Sequence, residues 1–335
     1  MKVLEFIGFI LLLSVITGSV FLYKGSIPAG VVDARYSSRT SQFLITDEGA
    51  RVHYRVEGNR RGRPVILIHG SGASLHTFEP WVEILGDEFK IITLDLPAHG
   101  LTGAVPSNDY STEAYMKVVD DVANHLGLDR FVLGGNSMGG GVSWRYALAY
   151  PEKVSALILI DSVGLPSWRE ELAASGSIEE DSTPIAFQLL RQSWFRAIAT
   201  KLDPYYIVKQ GVEVAYNHSA VVTDELIMRY CDLSLREGTR EATMTRFANY
   251  KVVKTQPSEL ASLEQPTLII WGKDDALISF EYAAKFMEVL PNATLVSYEG
   301  VGHMPMEEIP WESAKAVRGF LTSLTNEKAE EGNSR

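Results

Sequence analysis

The chain has 335 residues, 46% hydrophobic and 22% charged, a globular balance long enough for a sizeable core, which excludes a disordered or collagen-like chain. A formal net charge of −11 excludes a general nucleic-acid role, because phosphate binding needs a basic surface. Cys231 is the only cysteine, which excludes an internal disulfide, a Cys-based zinc site and a lipid-bearing N-terminal cysteine.

Residues Phe6–Tyr23 (FIGFILLLSVITGSVFLY) carry no charge. As a helix this run spans roughly 27 Å, close to the hydrocarbon thickness of a bilayer. It reads as a single transmembrane helix, an uncleaved anchor over residues 1–24 with the lipid bilayer as partner through residues 6–23. The location that goes with it is a membrane; positive charges on both flanks (Lys2 before, Lys24, Arg35 and Arg39 after) leave the sidedness open, an extracytoplasmic globular part (periplasmic in a bacterium) being one arrangement. A cleaved signal peptide and a core helix are the competing readings. Residues 25–40 are mixed and turn-rich and read as a linker.

From Ser41 onward, short β-rich runs alternate with helical stretches, the pattern of a mainly parallel sheet covered on both faces. Gln42–Thr46 and Arg51–Glu57 flank a glycine turn and form a hairpin. Val65–Ile68, Ile91–Leu94, Phe131–Leu133, Val154–Ile160 and Thr267–Ile270 are continuous apolar runs, as expected of strands buried on both sides. Helices are predicted at Thr112–Leu126, Met138–Tyr150 and Phe280–Leu290, then a weak strand Thr294–Tyr298 and a closing helix Trp311–Leu324. No clear apolar strand lies between Asp161 and Pro266. A structureless loop of that length is improbable in a compact domain, so residues 164–238 read as a helical cap inserted between core segments 41–163 and 239–325. Residues 326–335 are polar and read as a disordered tail.

Gly135-Asn136-Ser137-Met138-Gly139 stands between the strand Phe131–Leu133 and a helical pattern. G-x-S-x-G in that context is a strained turn that lifts a serine above the sheet edge, with glycines where backbones must pass closely. Ser137 is therefore the candidate nucleophile. A serine hydroxyl needs a base to take its proton. Of the seven histidines, His53 and His125 read as structural or surface, His76 as solvated, and His218 as distant within the insertion. His303, in Gly300-Val301-Gly302-His303 just after the last strand, is the candidate base. Its imidazole needs a carboxylate to hold one tautomer, and either Asp274 or Asp275, after Trp271-Gly272-Lys273, can supply it.

With the chain order serine, aspartate, histidine, the sequence resembles the α/β-hydrolase fold, in the branch with a helical cap after the sixth strand. The resemblance covers about residues 41–325 and implies a mostly parallel eight-stranded α/β sheet with helices on both faces. In that family the acid follows the glycine of the W-G-x-x-D turn by three residues, which maps to Asp275, with Asp274 as the alternative. His69-Gly70-Ser71-Gly72 is similar to the family's oxyanion loop. This implies backbone N–H groups of Ser71 and Met138 as the oxyanion hole, Gly72 being the alternative to Ser71. His69 and His99 match structural histidines of the family.

The implied activity is that of a carboxylesterase-like serine hydrolase, whose triad needs no cofactor and no metal. Haloalkane dehalogenases and epoxide hydrolases of this fold use a carboxylate nucleophile, and Ser137 would give them a stable ether. Carbon–carbon hydrolases of ring-cleavage products share the triad and have elbows similar to Gly135–Gly140, but many carry tryptophan where this chain has Met304. Lactonases and cofactor-free haloperoxidases differ by pocket and not by triad. The cap aromatics Trp168, Phe187, Trp194, Phe195, Tyr205, Tyr206 and Tyr216 are numerous enough to line an apolar cavity, which suits a small-to-medium hydrophobic ester. Some members of the fold are catalytically silent binding modules, the non-enzymatic alternative.

Overall fold

The structure is a computed structural model that describes residues 23–178, 189, 192–251, 253 and 255–333. Its strands are β1 (Ser41–Ile45), β2 (Arg51–Gly58), β3 (Pro64–Ile68), β4 (Lys90–Leu94), β5 (Phe131–Asn136), β6 (Val154–Ile160), β7 (Thr267–Gly272) and β8 (Ala293–Tyr298). They form one eight-stranded sheet in the order β1-β2-β4-β3-β5-β6-β7-β8. β2 pairs antiparallel with β1 and β4, and every other pair is parallel. β3 shows why its run is apolar throughout. Val65 and Leu67 join one buried cluster and Ile66 and Ile68 the other, so both faces of the strand are covered.

Helix α1 (Ala29–Tyr36) precedes the sheet, and α2 (Glu79–Leu85), α3 (Thr112–His125) and α4 (Met138–Ala149) cross over between strands. The described part between β6 and β7 holds α5 (Pro166–Ala174), α6 (Ser193–Ala199), α7 (Tyr205–Ala215), α8 (Asp224–Leu235), α9 (Thr239–Ala248) and α10 (Pro257–Leu260), with no strand among these residues. The chain closes with α11 (Glu281–Val289), α12 (Pro305–Glu308) and α13 (Pro310–Asn333).

Three N- and C-terminal expectations change. The transmembrane helix expected over Phe6–Tyr23, the membrane location and the bilayer partner are corrected, because no helix among the described residues is long and apolar enough to cross a membrane. Residues 1–22 lie outside the described residues, and Tyr23 is not helical: it forms an isolated antiparallel bridge with Leu202. The Lys24 N–H donates to the Lys201 carbonyl at 3.0 Å, so the chain enters extended against the insertion. Residues 25–40, expected as a linker, contain α1. That helix buries only Val32, and polar contacts hold it instead: Asp33 accepts from Arg236 Nε at 2.8 Å and Nη2 at 3.2 Å, and the Tyr36 hydroxyl donates to Asp232 at 2.8 Å. Such a helix leaves no apolar periodicity to read. Finally, α13 runs on through residue 333, across most of the tail expected to be disordered.

Candidate active site

β5 passes into α4 through one residue, Ser137, held at φ 55°, ψ −117°. That is left-handed space for a side chain-bearing residue, and neighbouring strands over-determine it. The Ser137 N–H donates to the Ile160 carbonyl at 2.9 Å, and its own carbonyl accepts from Gly141 and Val163, each at 3.1 Å. The flanking glycines answer to close backbone approach. A Cβ on Gly135 would lie 2.3 Å from the Gly139 carbonyl carbon, and one on Gly139 would lie 2.2 Å from the Ile68 oxygen.

Ser137, Asp275 and His303 follow the C-terminal ends of β5, β7 and β8, so the parallel sheet delivers all three to one edge. His303 Nδ1 lies 2.6 Å from Asp275 Oδ2, and both residues are buried. A proton on Nδ1 donating to the carboxylate leaves Nε2 free to accept one, the tautomer a general base requires. Asp275 Oδ1 accepts from the backbone N–H groups of Leu277 at 2.7 Å and Ile278 at 3.0 Å, which fixes the carboxylate plane. Asp274 is exposed and points elsewhere, accepting from the Gly300 N–H at 2.6 Å, so Asp275 is the aspartate that meets His303. The Asn136 amide donates to the His303 carbonyl at 3.0 Å, joining the residue before Ser137 to the histidine's own backbone. From the insertion, the Ala215 carbonyl at the end of α7 accepts the His303 N–H at 2.7 Å. Glu308 closes the histidine loop by accepting from the Gly302 and Met304 N–H groups, both at 3.0 Å. Burial pushes its carboxyl above the ordinary range.

The loop after β3 lies against the elbow: a Cβ on Gly70 would sit 2.8 Å from Asn136 Oδ1 and 3.1 Å from Ser137 Cβ. Ser71 is exposed and Met138 half-buried, and one guanidinium touches both side chains. Arg246, on α9, donates from Nη2 to Ser71 Oγ at 2.7 Å and from Nη1 to Met138 Sδ at 3.2 Å. His69 organises this loop, with Nδ1 2.7 Å from the Gly70 carbonyl and Nε2 accepting from the Leu96 N–H at 3.1 Å. Burial lowers its pKa and that of His99, keeping both neutral as loop-organising groups should be.

The sequence profile of the alpha/beta hydrolase fold family matches residues 63–310. The chain belongs to this family. Lipase 1 of Psychrobacter immobilis is 28% identical over 282 residues, covering 84% of this chain and 84% of the lipase. The 2-hydroxy-6-oxo-6-(2'-aminophenyl)hexa-2,4-dienoic acid hydrolase of Metapseudomonas resinovorans is 27% identical over 290 residues, covering 83% of this chain and 90% of that enzyme. Among solved structures, a bacterial membrane phospholipase A shares the fold with a TM-score of 0.68 at 23% identity, over 97% of this chain and 100% of that one. The protein is thus a hydrolase of the α/β-hydrolase fold.

Two groups of this hydrolase's site escaped the sequence reading. Arg246 is one; no motif marks it, and it reaches Met138 across a separation of 108 residues. The other is Asp161, directly after β6, where a polar residue ending an apolar strand is the one available signal. It is fully buried at φ 43°, and its Oδ1 accepts from the Gly272 N–H at 2.9 Å. Asp161, Asp275 and His303 each place a potential metal-ligating atom within 4.8 Å of the others, yet the hydrogen bond to Asp275 already engages the His303 Nδ1 atom.

The remaining histidines sort by burial. His53 is fully buried between Asp95 (2.7 Å) and Ser41 (2.8 Å). His76, expected to be solvated, is buried against the Tyr36 carbonyl at 2.8 Å, and burial pushes its pKa down to about 4. His125 and His218 are exposed. The cap aromatics divide as well. Trp168 packs edge-on to Phe286 and Tyr216 is buried with its hydroxyl 3.2 Å from Tyr230, whereas Trp194 and Tyr206 face solvent. Phe195 and Tyr205 are partly buried, and Phe187 lies outside the described residues.

Proposed function

We propose that this hydrolase is a serine esterase of small-to-medium hydrophobic carboxylic esters. One observation carries the reading: the buried His303–Asp275 hydrogen bond, tied through Asn136 to the strained elbow at Ser137. Ser137 Oγ attacks the ester carbonyl while His303 Nε2 takes its proton, and Asp275 stabilises the imidazolium that forms. The tetrahedral oxyanion is received by the N–H groups of Ser71 and Met138, an interaction worth roughly 10²–10³ in rate per donor. Collapse expels the alcohol with the proton from His303 and leaves an acyl group on Ser137. Water, deprotonated by His303, then releases the acid.

The similar lipase of Psychrobacter immobilis supports an ester. The similar dienoic acid hydrolase supports a second reading, hydrolysis of a carbon–carbon bond in a ring-cleavage product by the same triad, with lactones a third substrate class. Met304, buried beside His303, favours the ester, since many carbon–carbon hydrolases place tryptophan there.

The test is a panel of p-nitrophenyl esters of graded acyl length, a lactone and a ring-cleavage dienone, run against a Ser137→Ala control with fluorophosphonate labelling. Ester turnover and labelling that both vanish in Ser137→Ala are expected. Faster turnover of the dienone than of any ester selects the second reading. No turnover and no labelling overturns serine hydrolysis and leaves a silent binding module.

A further inference from the structure

Asp161 stands behind the triad with its position set by the sheet. Its N–H donates to the Ile270 carbonyl at 2.9 Å, and its Oδ1 takes the Gly272 N–H. Gly272 in turn lies hard against the histidine loop, where a Cβ would meet the Gly302 oxygen at 1.9 Å. Asp161 is thereby locked beside Asp275 and His303, in a fully buried pocket, in a backbone conformation that costs energy for a residue with a side chain.

Two carboxyl groups this close in a pocket shielded from water cannot both be ionised. The partners decide which one carries the charge. Asp275 receives two backbone N–H groups on Oδ1 and the imidazole N–H on Oδ2, a full set of donors for an anion. Asp161 receives one N–H, on Oδ1, while its Oδ2 is buried with no hydrogen-bond partner. An oxygen with no donor is where a proton belongs, and the carboxylate that shares its buried cluster, with a side-chain oxygen within 4.8 Å, is that of Asp275.

We propose that Asp161 is a positioning residue for the triad: as the neutral acid it donates its carboxyl proton to Asp275, steadying that carboxylate against His303 and tempering the charge the imidazole feels. The proposal rests on the reading of His303 as general base. The titratable groups facing Asp161 are Asp275 after β7, His303 after β8 and Glu308 on α12. Burial first, then the charge of Asp275, pushes the Asp161 carboxyl well above the ordinary range; the Gly272 N–H opposes this and Glu308 adds to it.

Three measurements test it on the full chain. The infrared difference between wild type and Asp161→Asn at neutral pH should contain the carbonyl stretch of a neutral carboxylic acid. In kcat/KM against pH with a p-nitrophenyl ester, Asp161→Asn, whose amide still donates to Asp275 and accepts from Gly272, should stay within about three-fold of wild type with its acid limb unmoved. Asp161→Ala frees the full charge of Asp275 and should move that limb upward by about half a pH unit or more, because a stronger anion holds the imidazole proton more tightly. Only a protonation role moves the limb in Ala and spares it in Asn. An unmoved limb in a folded Ala variant, or an Asn variant that shifts as far as Ala, overturns the proposal. If the Ala variant fails to fold, the infrared band and the Asn profile decide. A missing band alongside Ser137-dependent turnover overturns the positioning role alone, whereas turnover surviving Ser137→Ala overturns the serine reading and this role with it.

Discussion

Replacing Asp275 by asparagine separates the two adjacent aspartates more cleanly than any other change. The Asn Oδ1 can still take the Leu277 and Ile278 N–H groups at 2.7 and 3.0 Å, so the turn after β7 keeps its shape. What changes is the atom facing His303 Nδ1, at 2.6 Å in the wild type. If the amide nitrogen takes that place, an N–H replaces the carboxylate oxygen, Nδ1 must become the acceptor and the ring proton moves to Nε2. A histidine in that tautomer cannot take the Ser137 proton. In other serine triads the corresponding loss of the carboxylate lowers kcat by roughly 10⁴, about 5.5 kcal/mol of transition-state stabilisation. Asp274→Asn disturbs one hydrogen bond to the Gly300 N–H at an exposed turn, an effect within about 0.5 kcal/mol or two-fold. The assay is kcat/KM on a p-nitrophenyl ester for both variants, with thermal melts to show that each is folded. Equal losses, or a larger loss in Asp274→Asn, would refute the assignment of the acid.

The elbow and the buried carboxyl carry the remaining predictions. Gly139→Ala sets a methyl 2.2 Å from the Ile68 oxygen and 2.7 Å from the His69 oxygen, both backbone atoms that cannot turn aside. It should cost about 3 kcal/mol or more in a urea melt and depress turnover by displacing the loop that carries Ser71, so a wild-type midpoint would show that the approach is looser than described. Asp161 binds its proton more tightly folded than unfolded, so the stability this provides is complete below the unfolded carboxyl value and is lost as pH rises toward the raised folded value. The loss runs at about 1.4 kcal/mol per pH unit. The melting temperature of Asp161→Asn should therefore match wild type near pH 4 and exceed it increasingly as pH rises above the ordinary carboxyl range; parallel curves would mean that Asp161 is ionised in the fold.

Local sequence was enough wherever the physics is local. Strands covered on both faces must be apolar throughout, so β3 to β7 stand out as runs, and an elbow that packs backbone on backbone must use glycine, so Ser137 is marked by its neighbours. His303 was legible because it is the histidine directly after the last strand. Asp274 and Asp275 were indistinguishable from the residues alone. They occupy one turn and point different ways, and only the packing of that turn against the histidine loop directs Asp275 inward.

At the chain start hydropathy measures the length of an apolar run and nothing more: no helix among the described residues is long and apolar enough to cross a membrane, and Tyr23, the one described residue of that run, bridges to Leu202 in the insertion. α1 was invisible because ion pairs hold it, and His76 was misjudged because the strand and helix that bury it are distant in sequence. By itself, then, the sequence determined the sheet, the elbow and the kinds of group that surround it. Tertiary structure alone decided which aspartate meets the imidazole, that Arg246 bridges Ser71 and Met138, and that Asp161 shares the buried pocket. Those pairings join residues far apart in the chain, and their energies depend on burial and separation in space, which no local pattern encodes.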